Sequence, residues 1–230
     1  MNRLHIILII LASLAVLAGL IAPATCRAAE APADVGETVD VSATISRFAS
    51  DDIVDRLAAL ETVAEAGKAA LPQLIEALDA PQPMIRIYAC RALARIPGPE
   101  TRTAVAKLLQ ASSGPALKAV ACETLAACAD AESLESLRKA ASEDASLYVR
   151  KSATLAIASL RTREAMDVIV WLLKNSEHDI RQAAAAILRS ATKQDFGTSY
   201  EDWKKWWLDN KMNFRFDSIQ APAPDAKDQQ

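Results

Sequence analysis

Val149-Arg150-Lys151-Ser152-Ala153-Thr154-Leu155-Ala156-Ile157 holds a basic residue, an alanine three positions on and a branched aliphatic seven on. The same frame occurs at Arg56-Ala59-Val63, Arg86-Ala89-Leu93, Lys118-Ala121-Leu125 and Arg181-Ala184-Leu188. Successive basic anchors lie 30, 32, 32 and 31 residues apart, so the chain contains an internal repeat. Such a period accommodates two short helices and a turn, and stacking the pairs buries a face that one pair could not bury alone. Composition agrees, because the chain has only 6 Gly and 5% aromatic residues, whereas β-rich folds carry more β-branched and aromatic side chains.

The anchor sits on the second helix of each pair. The first helices have a column of their own, Leu74, Val105, Leu137 and Ile169, followed four residues on by Leu78, Leu109, Ala141 and Leu173. That spacing is one helical face. Pro83 and Pro115 each stand three residues before an anchor, where proline opens a helix without losing a hydrogen bond. Gly67, Pro97-Gly98-Pro99 and Asp130 separate the units. An apolar residue precedes the anchor in four units (Ile85, Leu117, Val149, Ile180), but Asp55 takes that place in the first, which reads as an N-terminal cap.

The ends differ from the middle. Arg3 followed by the uncharged apolar run 6–22 and small residues near Ala28 has the pattern of a signal peptide over 1–29, with an uncleaved anchor as the alternative. A lipoprotein modified on Cys26 is disfavoured, since Pro23-Ala24-Thr25 poorly matches a lipobox. Residues 30–41 read as a flexible spacer and 42–192 as the repeat array. In the capping segment 193–213, Ser199 and Asp202 form a helix start that places Trp203, Trp206 and Trp207 on one side. They form either a cap over the last repeat, with Trp203 facing Phe196, or an aromatic ligand platform, with Trp206 the most exposed ring. Residues 214–230, rich in Pro, Ala and Asp, read as a disordered tail.

Arg-x-x-Ala-x-x-x-Leu on the second helix, preceded by Val or Ile in units of about 31 residues, resembles the HEAT-like repeats of the short bacterial, PBS-lyase type. The resemblance covers about 41–192, and the Phe-Gly and Trp-x-x-Trp-Trp ending is similar to that of exported bacterial HEAT-repeat proteins. It implies an all-α, right-handed solenoid of about five helix pairs closed by the Trp-rich helix. Such repeats serve scaffolds, adaptors and a few enzymes, so the motif specifies architecture rather than chemistry.

No catalytic set, metal site or cofactor is expected. Iron-dependent HEAT enzymes need several His-Glu pairs, and this chain has His5, inside the targeting segment, and His178 in a turn. Serine and cysteine nucleophiles lack a histidine base for the same reason. Glu143-Asp144 and Asp51-Asp52 read as solvated turn charges. Nucleic acid is an unsuitable partner for a chain of net charge −3 with both signs interspersed. Cys90 and Cys122, each four residues after an anchor, belong to helices stacked about 8 to 10 Å apart, too far for a disulfide. With Cys128 they read as small buried hydrophobes.

The remaining candidates lie on the second helices. Glu61, Arg91 and Glu123 come five residues after their anchors, and Glu65 and Arg95 nine after. Neighbouring units therefore present opposite charges, either as an inter-repeat ion ladder or as a recognition surface that includes Tyr88. The anchors Arg56, Arg86, Lys118, Arg150 and Arg181 are structural. These features imply an exported scaffold, periplasmic or extracellular or tethered by 6–22, that binds protein or peptide through Tyr88, Arg91, Glu61, Glu123 and Trp206. The alternatives are an accessory or degenerate lyase-like module and a structural envelope component.

Overall fold

The computed structural model describes residues 40–111 and 114–216, and among them every regular element is helical. The targeting segment and most of the spacer and tail lie outside those residues. The α-helices are α1 (Val41–Ser46), α2 (Ile53–Ala66), α3 (Leu71–Ala77), α4 (Pro83–Leu93), α5 (Pro99–Gln110), α6 (Pro115–Cys128), α7 (Ala131–Glu143), α8 (Leu147–Ser159), α9 (Arg163–Leu172), α10 (His178–Thr192) and α11 (Tyr200–Asn210). Short 3-10 turns, Arg47–Ala49 and Gly67–Ala70, flank α2.

Local chemistry sets these boundaries. Asp40, Asp52, Asp130, Thr162 and Ser199 cap α1, α2, α7, α9 and α11 by accepting from a backbone N–H in the first turn, which satisfies a donor the helix cannot. Pro83, Pro99 and Pro115 open α4, α5 and α6. Gly67 follows α2 at φ 56°, the left-handed region glycine enters without strain. Ala129, Arg161 and Lys193 hold the same region after α6, α8 and α10. His178 begins α10 rather than lying in the turn before it.

The helices pair as α1/α2, α3/α4, α5/α6, α7/α8 and α9/α10, with α11 packed on α9. Second helices α2, α4, α6, α8 and α10 contact one another in succession, and in the alanine column Ala59, Ala89, Ala121, Ala153 and Ala184 are all 0% exposed. Val63, Leu93, Leu125, Ile157 and Leu188 seal the same seam, and the first-helix column from Leu74 to Ile169 is buried against it. Grooves of about 460, 380 and 420 Å³ open between first helices α1 and α3, α3 and α5, and α5 and α7.

Candidate binding surface

The anchors join the turns to the second helices. Nη1 of Arg56, Arg86, Arg150 and Arg181 donates to the carbonyl six residues earlier, those of Ser50, Ala80, Asp144 and Asn175, at 2.5, 2.8, 2.6 and 2.8 Å. Three of these arginines also reach the carbonyl five residues back. Each satisfies acceptors that a tight turn would otherwise leave unpaired, and places a cation beside the carbonyl end of the first helix. Lys118, with one ammonium in place of a fork, instead crosses to the next repeat and meets Asp144 Oδ2 at 2.8 Å, their side chains 18% and 9% exposed. Asp144 is thus an inter-repeat link and not the solvated turn charge expected from sequence.

The ion ladder also runs elsewhere than the sequence implied. Arg102 with Asp130, Lys118 with Asp144 and Lys151 with Asp179 connect neighbouring repeats near the turns, at 2.8, 2.8 and 2.6 Å. Arg150 and Glu177 stand 3.6 Å apart in the same sense. Burial raises the Asp130 carboxyl, but bonds from Arg102 and Ser133 outweigh it and hold the group below its ordinary range. From the expected columns, Glu61 pairs with Arg95 at 3.0 Å. Arg91 instead lies over the Tyr88 ring, 5.4 Å from its centroid, while Glu123 is exposed and forms no ion pair with a described residue.

Two other candidates sit in the interior. Tyr88 is 3% exposed: Arg56 Nε donates to its hydroxyl at 3.3 Å, and its ring lies 5.6 Å from that of Phe48, which fills the N-terminal cap. A tyrosine held this way cannot contact a partner without unpacking. Asp55, the residue that broke the apolar pattern, is hydrogen-bonded by Arg47, Nε to Oδ1 at 2.9 Å, which lowers its pKa. Trp206 is half-buried, with edge contacts to Trp203 and Phe214 at 6.3 and 6.4 Å, and belongs to the cap.

The rest of that cap is built around Trp203, 0% exposed, whose Nε1 donates to Gly197 O at 2.9 Å and whose ring meets Phe196 at 4.9 Å. Trp207 donates to Asp167 of α9 at 2.7 Å, and Lys211 binds the other oxygen of that carboxylate at 2.5 Å. Phe214 packs on Trp207 at 5.3 Å and on Phe216 at 5.0 Å, so the packed chain continues beyond the boundary at 213 read from the sequence.

Besides these charges, the second helices present an apolar row. Two residues before the anchors stand Val54, Met84, Ala116 and Tyr148, and Val54, Met84 and Tyr148 are 68%, 36% and 60% exposed. Leu155, seven residues after Tyr148 on the same helix, is 61% exposed, and Leu57 and Ile53 widen the row on α2. Superposing the five anchor frames would have revealed this column. The column changes to Ala116 in the third repeat and to Asp179 in the last, which hides its period in the sequence.

The interior thiols are not reactive sites. Burial pushes Cys90 up to about 11, against a hydrogen-bonding contact of its Sγ with Thr124 Oγ1 at 3.3 Å, and pushes Cys122 up to about 12. Among the described residues no His, Cys, Asp or Glu group is arranged to hold a metal ion.

Layered helix pairs with a periodic small-residue seam define an α-solenoid. A model of HEAT repeats matches residues 41–126 and 105–189, and the chain belongs to that family. Among solved structures, the complex of CpcE and CpcF of phycocyanin lyase from Nostoc sp. PCC7120 is similar with TM-score 0.54 at 19% identity, over 64% of this chain and 96% of that one. That likeness establishes the fold alone. An engineered protein (TM-score 0.40, 24% identity, 66% of this chain and 80% of that one) and a designed armadillo repeat protein in complex with peptide (KR)4 (TM-score 0.40, 18% identity, 81% and 94%) are more distant. No curated protein matches the sequence.

Proposed function

We propose that this protein is a non-enzymatic scaffold that binds protein or peptide outside the cytoplasm along the exposed side of its second helices. The observation carrying this reading is the exposed apolar row Val54, Met84 and Tyr148, continued by Leu155. Apolar side chains at repeated positions on a solenoid form a track with one contact per unit, which suits an extended partner. The interspersed charges Glu61, Arg91 and Glu123 would fix its register and orientation more than its affinity. Export rests on the pattern of residues 1–29; among the described residues no helix is long and apolar enough to cross a membrane.

The test is capture from a cell-envelope extract by the wild type and by a Val54→Glu/Tyr148→Glu double variant. Both substitutions fall on exposed side chains, so the melting temperature should stay within a few degrees while capture is lost. A variant that retains the same captured proteins refutes the row as the binding surface. Recovery of the protein solely in the cytoplasmic fraction refutes export.

A further inference from the structure

Between α2 and α8 the exposed apolar row is interrupted once, on α6. Val54, Met84 and Tyr148 stand two residues before their anchors on α2, α4 and α8, and the same position on α6 is Ala116. The exposed residues of that helix are Pro115, Ala116, Glu123 and Ala127. Glu123 is thus the one long side chain α6 exposes, and it lies seven residues, about two turns, beyond the gap in the row.

Its charge is uncompensated, whereas those around it are matched. Glu61 pairs with Arg95 at 3.0 Å, Lys151 pairs with Asp179 at 2.6 Å, and the Arg91 guanidinium lies over Tyr88, 5.4 Å from the ring centroid. Glu123 forms no ion pair with a described residue, and the equivalent position on α8 is the exposed, apolar Leu155. Two turns of helix span about 11 Å. Side chains on a helix lean toward its N-terminus, so Glu123 reaches back along α6 toward Ala116. A lysine crossing above Ala116 meets only a methyl group there, and its four-carbon stem, laid along α6, brings the ammonium to that carboxylate.

We infer that the segment bound along this row, on the scaffold reading given under Proposed function, carries a basic residue over α6 and apolar residues over α2, α4 and α8. Its spacing follows from geometry. Packed helices lie about 8 to 10 Å apart. A polyproline II segment turns once in three residues and rises about 9 Å in doing so, which puts every third side chain on one face at the spacing of the helices. The partner therefore has the form apolar-x-x-apolar-x-x-basic-x-x-apolar, extended rather than helical. The apolar contacts supply most of the affinity, and Glu123 selects the charge at the third contact.

The probes are the synthetic peptide Leu-Ser-Pro-Leu-Ser-Pro-Lys-Ser-Pro-Leu and its counterparts with Gln or Glu in place of Lys, each made in both chain directions. They are titrated by calorimetry into the purified full-length chain. The wild type should bind the Lys peptide about tenfold more tightly than the Gln peptide, as one charge-assisted contact predicts, and the Glu peptide most weakly. Glu123→Gln should abolish the preference, and Glu123→Lys should reverse it in favour of the Glu peptide, an outcome that loss of folding cannot mimic. Glu65→Gln, which removes an exposed carboxylate near the far end of α2, should leave the preference unchanged. Val54→Glu/Tyr148→Glu should lose every peptide. If that variant loses them but the wild type shows no preference for Lys, the charge selection is overturned and the apolar row stands. Binding retained in the double variant overturns both. A preference for Lys that survives Glu123→Gln, or binding of no peptide at all, overturns the inference, while the envelope-extract capture judges the scaffold reading separately.

Discussion

The middle of the stack and its C-terminal end solve the same problem with opposite means. From α2 to α10 each second helix carries one fully buried alanine of the repeating column, so small side chains recur through the interior. At the end no further repeat offers a matching face, and Trp203, Trp207 and Phe214 cover the last pair with large rings instead. The interior contact repeats because its geometry repeats. The cap contact occurs once, and it is fixed by polar bonds with no counterpart in the repeats, Trp203 to Gly197 O and Trp207 to Asp167. A repeat array is therefore predictable from its period, whereas its ends are particular.

The largest expected effect bears on the cap. Trp203→Ala should cost about 3 to 5 kcal/mol, because it deletes a fully buried ring and leaves Gly197 O without its donor. Thermal unfolding followed by circular dichroism measures it, and near-native stability would return the tryptophans to the role of a ligand platform.

Raising the pH probes the interior next. Folded Cys90 and Cys122 titrate at about 11 and about 12 against an ordinary value of 9.0. Above pH 9 the unfolded chain releases thiol protons that the folded chain keeps, so it binds fewer protons and stability falls as pH rises. The loss is absent below pH 9 and grows toward pH 11 to 12, reaching about 2 to 3 kcal/mol for Cys90. Denaturant titrations at pH 8 and pH 10.5 should give a smaller decline for Cys90→Ala than for the wild type. Equal declines would show that Cys90 is not held as a buried thiol.

Ala121→Leu asks whether the seam is as close as its burial implies. Overpacking there should cost about 1 to 3 kcal/mol. An unchanged melting temperature would mean that α4, α6 and α8 can move apart, removing the contrast with the cap.

The smallest effect is expected at the surface. Arg95 and Glu61 are about half exposed, and Arg95→Ala should change stability by no more than about 1 kcal/mol, less at high salt. A larger loss would make the second-helix charges part of the architecture.

Much of the solenoid could be read directly. The alanine and aliphatic columns, Pro83 and Pro115 at helix starts, and Ser199 as the cap of α11 depend on residues three, four or seven apart, which one helix brings onto one face. The candidate surface was less legible. Tyr88 shares a helix with Arg91, but only the neighbouring repeat shows that Phe48 and Arg56 enclose its ring and hydroxyl. Asp144 looked like a turn charge because its partner Lys118 lies 26 residues earlier.

The sequence by itself determined the repeat, its helix pairs and the residues that seal them, since those follow from hydrophobic spacing within a helix and from a period that recurs. Only the tertiary structure decided which exposed or buried state each polar and aromatic side chain takes. That outcome is set by neighbours from other turns and other repeats, such as Lys118 for Asp144 and Phe48 for Tyr88, which spacing within one helix does not reveal.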